Sequence, residues 1–290
     1  MAAMIADAPG GEQHKPMWSS LSGTLQGLIQ RMPAADVLEL ARHVLAGLDT
    51  LTSRERVSFL AETLGTLGKA LPPPEAAAVG CDVVGSLATL RDAGQIASRA
   101  AALAEWGRHL PPELLAAGAR AVLAALEKGG NSTESFSLVT ALGALGRHLP
   151  TGEIAGLARQ IVASTEQTAD FWQRTSLVRA LSDLGERVPA EQAAAAAGLL
   201  VSAWEATTDS IQISHIGGFS SWEQLDTRLS SEQTTGLAQQ LLRVMRETAD
   251  DRKRSNLGQL VVRLGGELPP NRPRPWHGRS SPLRQQRPTS

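Results

Sequence analysis

The stretch Leu142-Gly143-Ala144-Leu145-Gly146-Arg147-His148-Leu149-Pro150 decides the architecture, because its grammar returns along the whole chain. The copy before it reads Leu103-Ala104-Glu105-Trp106-Gly107-Arg108-His109-Leu110-Pro111. An apolar residue followed by proline stands at Met32-Pro33, Leu71-Pro72, Leu110-Pro111, Leu149-Pro150 and Val188-Pro189, each 39 positions after the last. The sixth copy is Leu229-Ser230 after an interval of 41, and the seventh is Leu268-Pro269 after 39. A two-residue insertion therefore lies between Pro189 and Ser230. A period of this length marks a stack of supersecondary units.

Counted back from the proline, the apolar positions fall on one helical face. Eight residues before it stand Leu25, Leu64, Leu103, Leu142, Leu181, Trp222 and Val261. Five before it stand Leu28, Leu67, Trp106, Leu145, Leu184, Leu225 and Leu264, and twelve before it most copies have Leu. These offsets draw one apolar stripe along a helix, here termed helix A. Gly68, Gly107, Gly146, Gly185 and Gly265 sit four before the proline, where a left-handed cap is expected to stop helix A. The Pro- and Glu-rich turn that follows, as in Pro111-Pro112-Glu113, starts a second helix, B. Where proline is missing, Ser230 and Gln233 predict a capping box. Helix B carries paired apolar residues such as Val122-Leu123 and Ile161-Val162, with small residues at Ala41, Gly80, Ala119, Ala158, Ala197 and Ala238 for close helix approach.

The expected fold is all-α: a right-handed α-solenoid of about six and a half two-helix repeats, since a single hairpin cannot bury both of its stripes. Residues 1–16 are expected to be disordered, 17–269 to form the array, and 270–290 to be a disordered Pro- and Arg-rich tail. The last helix A, at residues 252–264, lacks the helix B that the pattern demands.

The repeat resembles the HEAT and armadillo class of α-solenoids, and more closely the Ala- and Leu-rich two-helix repeats of large proteins from high-GC bacteria. The likeness rests on the Leu ladder ending in Leu145-Gly146-Arg147-His148-Leu149-Pro150 and covers residues 17–268. The Asp and Arg that tie successive HEAT units together have no regular counterpart here. The resemblance implies a curved scaffold for partners, with the B helices lining its concave face, and carries over no catalytic residue.

Bulk composition narrows the function. With 42% hydrophobic and 20% charged residues the chain is ordinary globular material. The net charge of -1 hides an imbalance, because Arg272, Arg274, Arg279, Arg284 and Arg287 crowd the tail without an acidic residue, leaving about -6 on the rest. Cys81 is the single cysteine, so no internal disulfide and no thiolate zinc site can form. No export signal or membrane-spanning run is read, so a cytoplasmic protein without a membrane partner is expected.

Candidate binding residues form ladders. Arg31, Lys69, Arg108-His109, Arg147-His148, Arg187 and Arg228 follow each helix A, as a track for an acidic partner or phosphates, or simply as cations offsetting helix macrodipoles. Arg42, Arg120 and Arg159 recur on helix B, on a binding groove or on an ordinary solvated face. His109 and His148 lack the carboxylate or thiolate partners that a metal site needs, so no metal or other cofactor is expected. Trp106, Trp204 and Trp222 occupy core positions, whereas Phe171-Trp172 lies in an interhelix link and Trp172 is the candidate exposed anchor. The expected function is a non-catalytic interaction scaffold for a protein partner, through Arg42, Arg120, Arg159, Arg108, Arg147 and Trp172. The alternatives are a nucleic-acid-binding solenoid using the basic ladders and tail, and a solenoid enzyme built around Trp222 and Asp226.

Overall fold

The computed structural model describes residues 26–50, 54–209 and 227–266, together with Thr24, Gln212 and Leu225. The elements are all helical: α1 (Ala34–Thr50), α2 (Arg54–Ala70), α3 (Pro73–Leu87), α4 (Ala93–Trp106), α5 (Pro112–Glu127), α6 (Ser132–Gly146), α7 (Thr151–Gln167), α8 (Phe171–Asp183), a 3-10 turn (Gly185–Arg187), α9 (Ala190–Ala206), α10 (Ser231–Glu247) and α11 (Asp251–Gly266). No strand occurs among the described residues. Helices α2, α4, α6, α8 and α11 are A helices, and the rest are B helices. The chain is therefore an all-α protein whose consecutive helices pack as a helical repeat. The two termini and the segment holding Trp222, Asp226 and the insertion lie outside the described residues, as do Trp18, Trp276 and the tail arginines.

The repeat's core positions behave as the spacing demands. Leu64, Leu67, Leu103, Leu142, Leu145, Leu181 and Leu264 are fully buried, as are Trp106 and Trp204. The small residues of helix B are buried too, from Ala41 through Ala197. Leu28 departs most: it is 46% exposed, with Ile29 beside it buried instead, and Val261 is half-buried. At the position where other copies bury Leu60, Leu138, Leu177 and Leu257, the third copy buries Arg99, whose Nη1 donates to Ser86 Oγ at 3.3 Å.

The repeating proline acts as the N-cap of helix B, at Pro72, Pro111, Pro150 and Pro189, with Pro73 and Pro112 next to it at the first helical position. Its fixed φ near the polyproline value makes the chain extended just before the helix begins. The capping box of Ser230 and Gln233 is formed. Helix A has a start signal of its own, a carboxylate or amide N-cap. Asp92, Asn131, Asp170, Asp209 and Asp250 accept from the backbone N–H of Gln95, Glu134, Gln173, Gln212 and Lys253. The first four recur every 39 residues and the last after 41, which confines the insertion to the stretch after Asp209.

Three expectations are corrected. Among the glycines before the A–B turn, Gly185 alone takes a left-handed φ, of 76°. Gly107 is right-handed and Gly68 and Gly146 lie within helices, so these three are not left-handed stops. Their reason is close approach. An added Cβ on Gly68 would stand inside the Trp106 indole and one on Gly107 inside the His148 ring, while one on Gly146 would lie 2.6 Å from Leu184 Cδ2. Each glycine is filled by a side chain about one repeat downstream. Secondly, Phe171 and Trp172 are not in a link, because Asp170 caps a helix that begins at Phe171. Thirdly, α11 is not an orphan. It packs extensively against α10, just as α2 packs on α1 and α6 on α5, whereas α4 packs more on the helix B after it than on the one before.

A binding surface along the A helices

Packing between repeats is unequal on the two sides. The A helices α2, α4, α6 and α8 pack on one another far more extensively than the successive B helices do. At Gly143 the gap is so narrow that a Cβ would lie 3.1 Å from the backbone O of Asp183. On the B side Gly156, Gly198 and Gly236 face open space. The B helices are held instead by polar bridges at their surface: Arg120 to Glu153 at 2.6 Å, Arg243 to Glu205 at 3.0 Å, Ser164 Oγ to Glu127 at 2.5 Å and a longer Arg42–Asp82 pair at 3.9 Å.

Buried donors finish the joints. Trp106 Nε1 donates to the carbonyls of Leu64 and Gly65, both at 2.9 Å. Arg187 donates to Leu149 O and Gly146 O, and Arg228 donates to Val188 O at 3.2 Å. The acceptors of Arg187 and Arg228 lie at a helix end or in the turn after it, so two cations of the predicted ladder bind carbonyls of the previous repeat. Gln173 and Lys253, each third after its N-cap, do the same for helix B: Gln173 Nε2 donates to Glu127 O at 2.5 Å and Lys253 Nζ to Thr207 O at 2.8 Å. Burial pushes the Lys253 ammonium below its usual pKa, opposed by Asp250 and Glu205. Burial likewise raises the Asp183 carboxyl, opposed by Arg179 and Arg147. The His148 imidazole is lowered first by burial and then by Arg108, Arg147 and Arg187, with Glu105 opposing.

The predicted site residues do not converge. Arg42, Arg120 and Arg159 lie on the B helices, the first two engaged with carboxylates and Arg159 exposed. Arg108 and Arg147 are exposed at the A–B turns, at the opposite end of the A helices from Trp172. His109 is exposed and His148 fills the space at Gly107. No group of three His, Cys, Asp or Glu is placed to hold a metal among the described residues. Cys81 is exposed beside the Asp82 that faces Arg42.

Trp172 is 37% exposed at the start of α8 and sits edge-on to buried Phe171, with ring centroids 5.4 Å apart. Its neighbour on the surface is a residue that the repeat arithmetic passed over. Phe136, on α6, is 51% exposed, and the Arg179 guanidinium of α8 lies 4.6 Å from its ring centroid. Phe136 occupies no repeated offset, and its signal was that break in the pattern: an aromatic on a face where other copies carry small or polar residues.

Three depressions lie along this face. One, of about 760 Å³, runs between α6 and α8 and includes Phe136, Trp172 and Arg179. The second crosses α2, α4 and α6, with a floor of Ala97, Ala101, Ala102 and Ala144, carboxylates Glu62 and Glu105 at its edge, and Phe136 again as a wall. The third lies between the starts of α4 and α6, with Asp92 and Glu134 in its lining. These three hollows lie on the row where the helices pack most closely.

Comparison with known proteins adds little. No family model matches the chain, and no curated protein matches it. A solved chain described as "Computational Design of Self-Assembling Cyclic Protein Homooligomers" aligns with 93% of this chain and all of its own length, at 13% identity and a TM-score of 0.20. A score that low carries no argument. Among the described residues, no helix is long and apolar enough to cross a membrane.

Proposed function

We propose that the chain is a non-catalytic, cytoplasmic protein–protein interaction scaffold: a right-handed, HEAT-like α-solenoid of about six and a half repeats that receives a protein partner on its A-helix face. The observation that carries this reading is the pair of exposed aromatics, Phe136 and Trp172, flanking an open hollow on two neighbouring A helices. Exposed aromatic side chains beside a concave surface are the usual anchors of protein interfaces. The nucleic-acid reading draws less support, since Arg187 and Arg228 are spent on carbonyls, and Arg42 and Arg120 on carboxylates.

A photo-crosslinking amino acid placed at Thr140 on the A face, and separately at Arg159 on the B face, tests the proposal in cells. Protein adducts are expected from Thr140, and their loss on Phe136→Ala with Trp172→Ala. Equal adducts from both faces, or adducts with nucleic acid alone, would refute it.

A further inference from the structure

We infer that the first and last copies of the repeat fit one another, so that a second copy of this chain stacks head to tail and continues the A row. Four large apolar side chains are exposed among the described residues. Beside Phe136 and Trp172 they are Leu28, 46% exposed in the first copy, and Val262, 71% exposed in the last. Neither lines the A-face hollows, so the inference stands apart from the partner proposed there. Within the chain an A-row joint makes two contacts. The side chain five before a repeat's proline enters the gap at the glycine four before the preceding proline, as Trp106 does at Gly68 and Leu184 at Gly146. The residue six before the proline meets the glycine seven before the preceding one: a Cβ on Gly65 would stand 3.2 Å from Glu105 Cβ, and one on Gly143 2.9 Å from Asp183 Cβ.

The first and last copies carry the two halves of that joint. Leu28 holds the entering position in the first copy, and Gly265 the receiving position in the last. At the second contact the sizes are exchanged. The last copy has Val262 where those joints have Gly65 and Gly143, and the first has Gly27 where they have Glu105 and Asp183. An added Cβ on Gly27 would meet nothing within 4 Å, which leaves room for the Val262 side chain of another copy. A large residue facing a small one keeps the joint filled at its interior spacing. Charge agrees with size. Thr24, Gly27 and Leu28 on the first helix A are exposed and uncharged, and so are Ser255, Gln259 and Val262 along one side of α11. Closing the joint therefore buries apolar area without desolvating a charge. The two surfaces differ, so the contact is heterologous and passes from copy to copy instead of closing a two-fold pair.

The test is sedimentation velocity on the full chain over a rising concentration series. The wild-type chain is expected to pass from monomer to dimer and then to larger species. Leu28→Asp and Val262→Asp, both at exposed sites, are each expected to weaken self-association at least about tenfold, because the joint would bury an unpaired carboxylate. An equimolar mixture of the two variants is expected to form dimers and nothing larger, since Leu28 of the Val262→Asp chain still meets Val262 of the Leu28→Asp chain. Phe136→Ala with Trp172→Ala is expected to leave the association unchanged, and circular dichroism confirms that each variant is folded. A wild-type chain that stays monomeric at every concentration, single variants that associate as the wild type does, or a mixture that stays monomeric overturns the inference. Loss of association in the Phe136 and Trp172 variant would place the self-contact on the A face and overturn it as well.

Discussion

The two rows of helices solve the same stacking problem with different physics. Along the A row, neighbouring helices approach until backbone and side chain interlock: Trp106 fills the space at Gly68, His148 that at Gly107 and Leu184 that at Gly146. Along the B row the helices stay further apart and are tied by exposed bridges such as Arg120–Glu153 and Arg243–Glu205. Dispersion and burial act in a water-free joint, whereas an exposed ion pair is weakened by solvent and by the entropy of its long side chains. The A row should therefore set the rigidity and curvature of the array, and the B row should tolerate change.

The largest expected contrast is between two glycines. Gly68→Ala forces apart a joint filled by a rigid, fully buried indole and is expected to cost about 1–3 kcal/mol or more, in the range of overpacked cores. Gly198→Ala, in the middle of α9 with nothing within reach of the new Cβ, is expected to stabilise by about 0.5–1 kcal/mol. Urea unfolding of both variants measures the difference, and equal effects would erase the distinction between the rows.

A second, intermediate effect depends on pH. Because the His148 pKa is lowered in the folded chain, the unfolded chain binds the proton first as pH falls through the ordinary value of 6.5. The stability that neutral His148 contributes is thus present above that value and lost below it. The melting temperature is expected to drop between about pH 7 and about pH 5, and His148→Gln to flatten that drop. A drop of the same size in the variant would show that this A-row joint does not carry the pH dependence.

The smallest effect is expected on the B row. Arg120→Ala removes a pair whose side chains are 54% and 39% exposed, so its cost in thermal or urea unfolding should stay within roughly 0.5 kcal/mol. A cost as large as that of Gly68→Ala would mean that the B-row bridges, and not the A-row joints, hold the repeats together.

Much of the fold was legible because burial in a repeat is periodic. The Leu ladder, the proline restart and the Ser230–Gln233 box each state a local rule that the sequence repeats until it is unmistakable. The N-cap series Asp92, Asn131, Asp170, Asp209 and Asp250 was equally periodic, though hidden among polar links until its hydrogen bonds identified it. The surface was poorly legible for the opposite reason. Phe136 and Trp172 are exceptions to the period, and an exception in one copy has no second copy to announce it. The arginine ladders misled in the other direction, since a regular cation can bind its own neighbouring repeat, as Arg187 does at Gly146 and Leu149.

By itself, then, the sequence determined helix type and repeat length, which follow from contacts within one turn or one hairpin and from the alternation of apolar and polar positions. Tertiary structure alone decided which row closes tightly, what fills each glycine, which helix B each helix A joins, and which side carries the hollows. Those outcomes depend on residues about 40 positions apart meeting across a joint, such as Trp106 with Gly68 or Arg187 with Gly146. A period gives the spacing of such residues but not the distance between the helices that carry them.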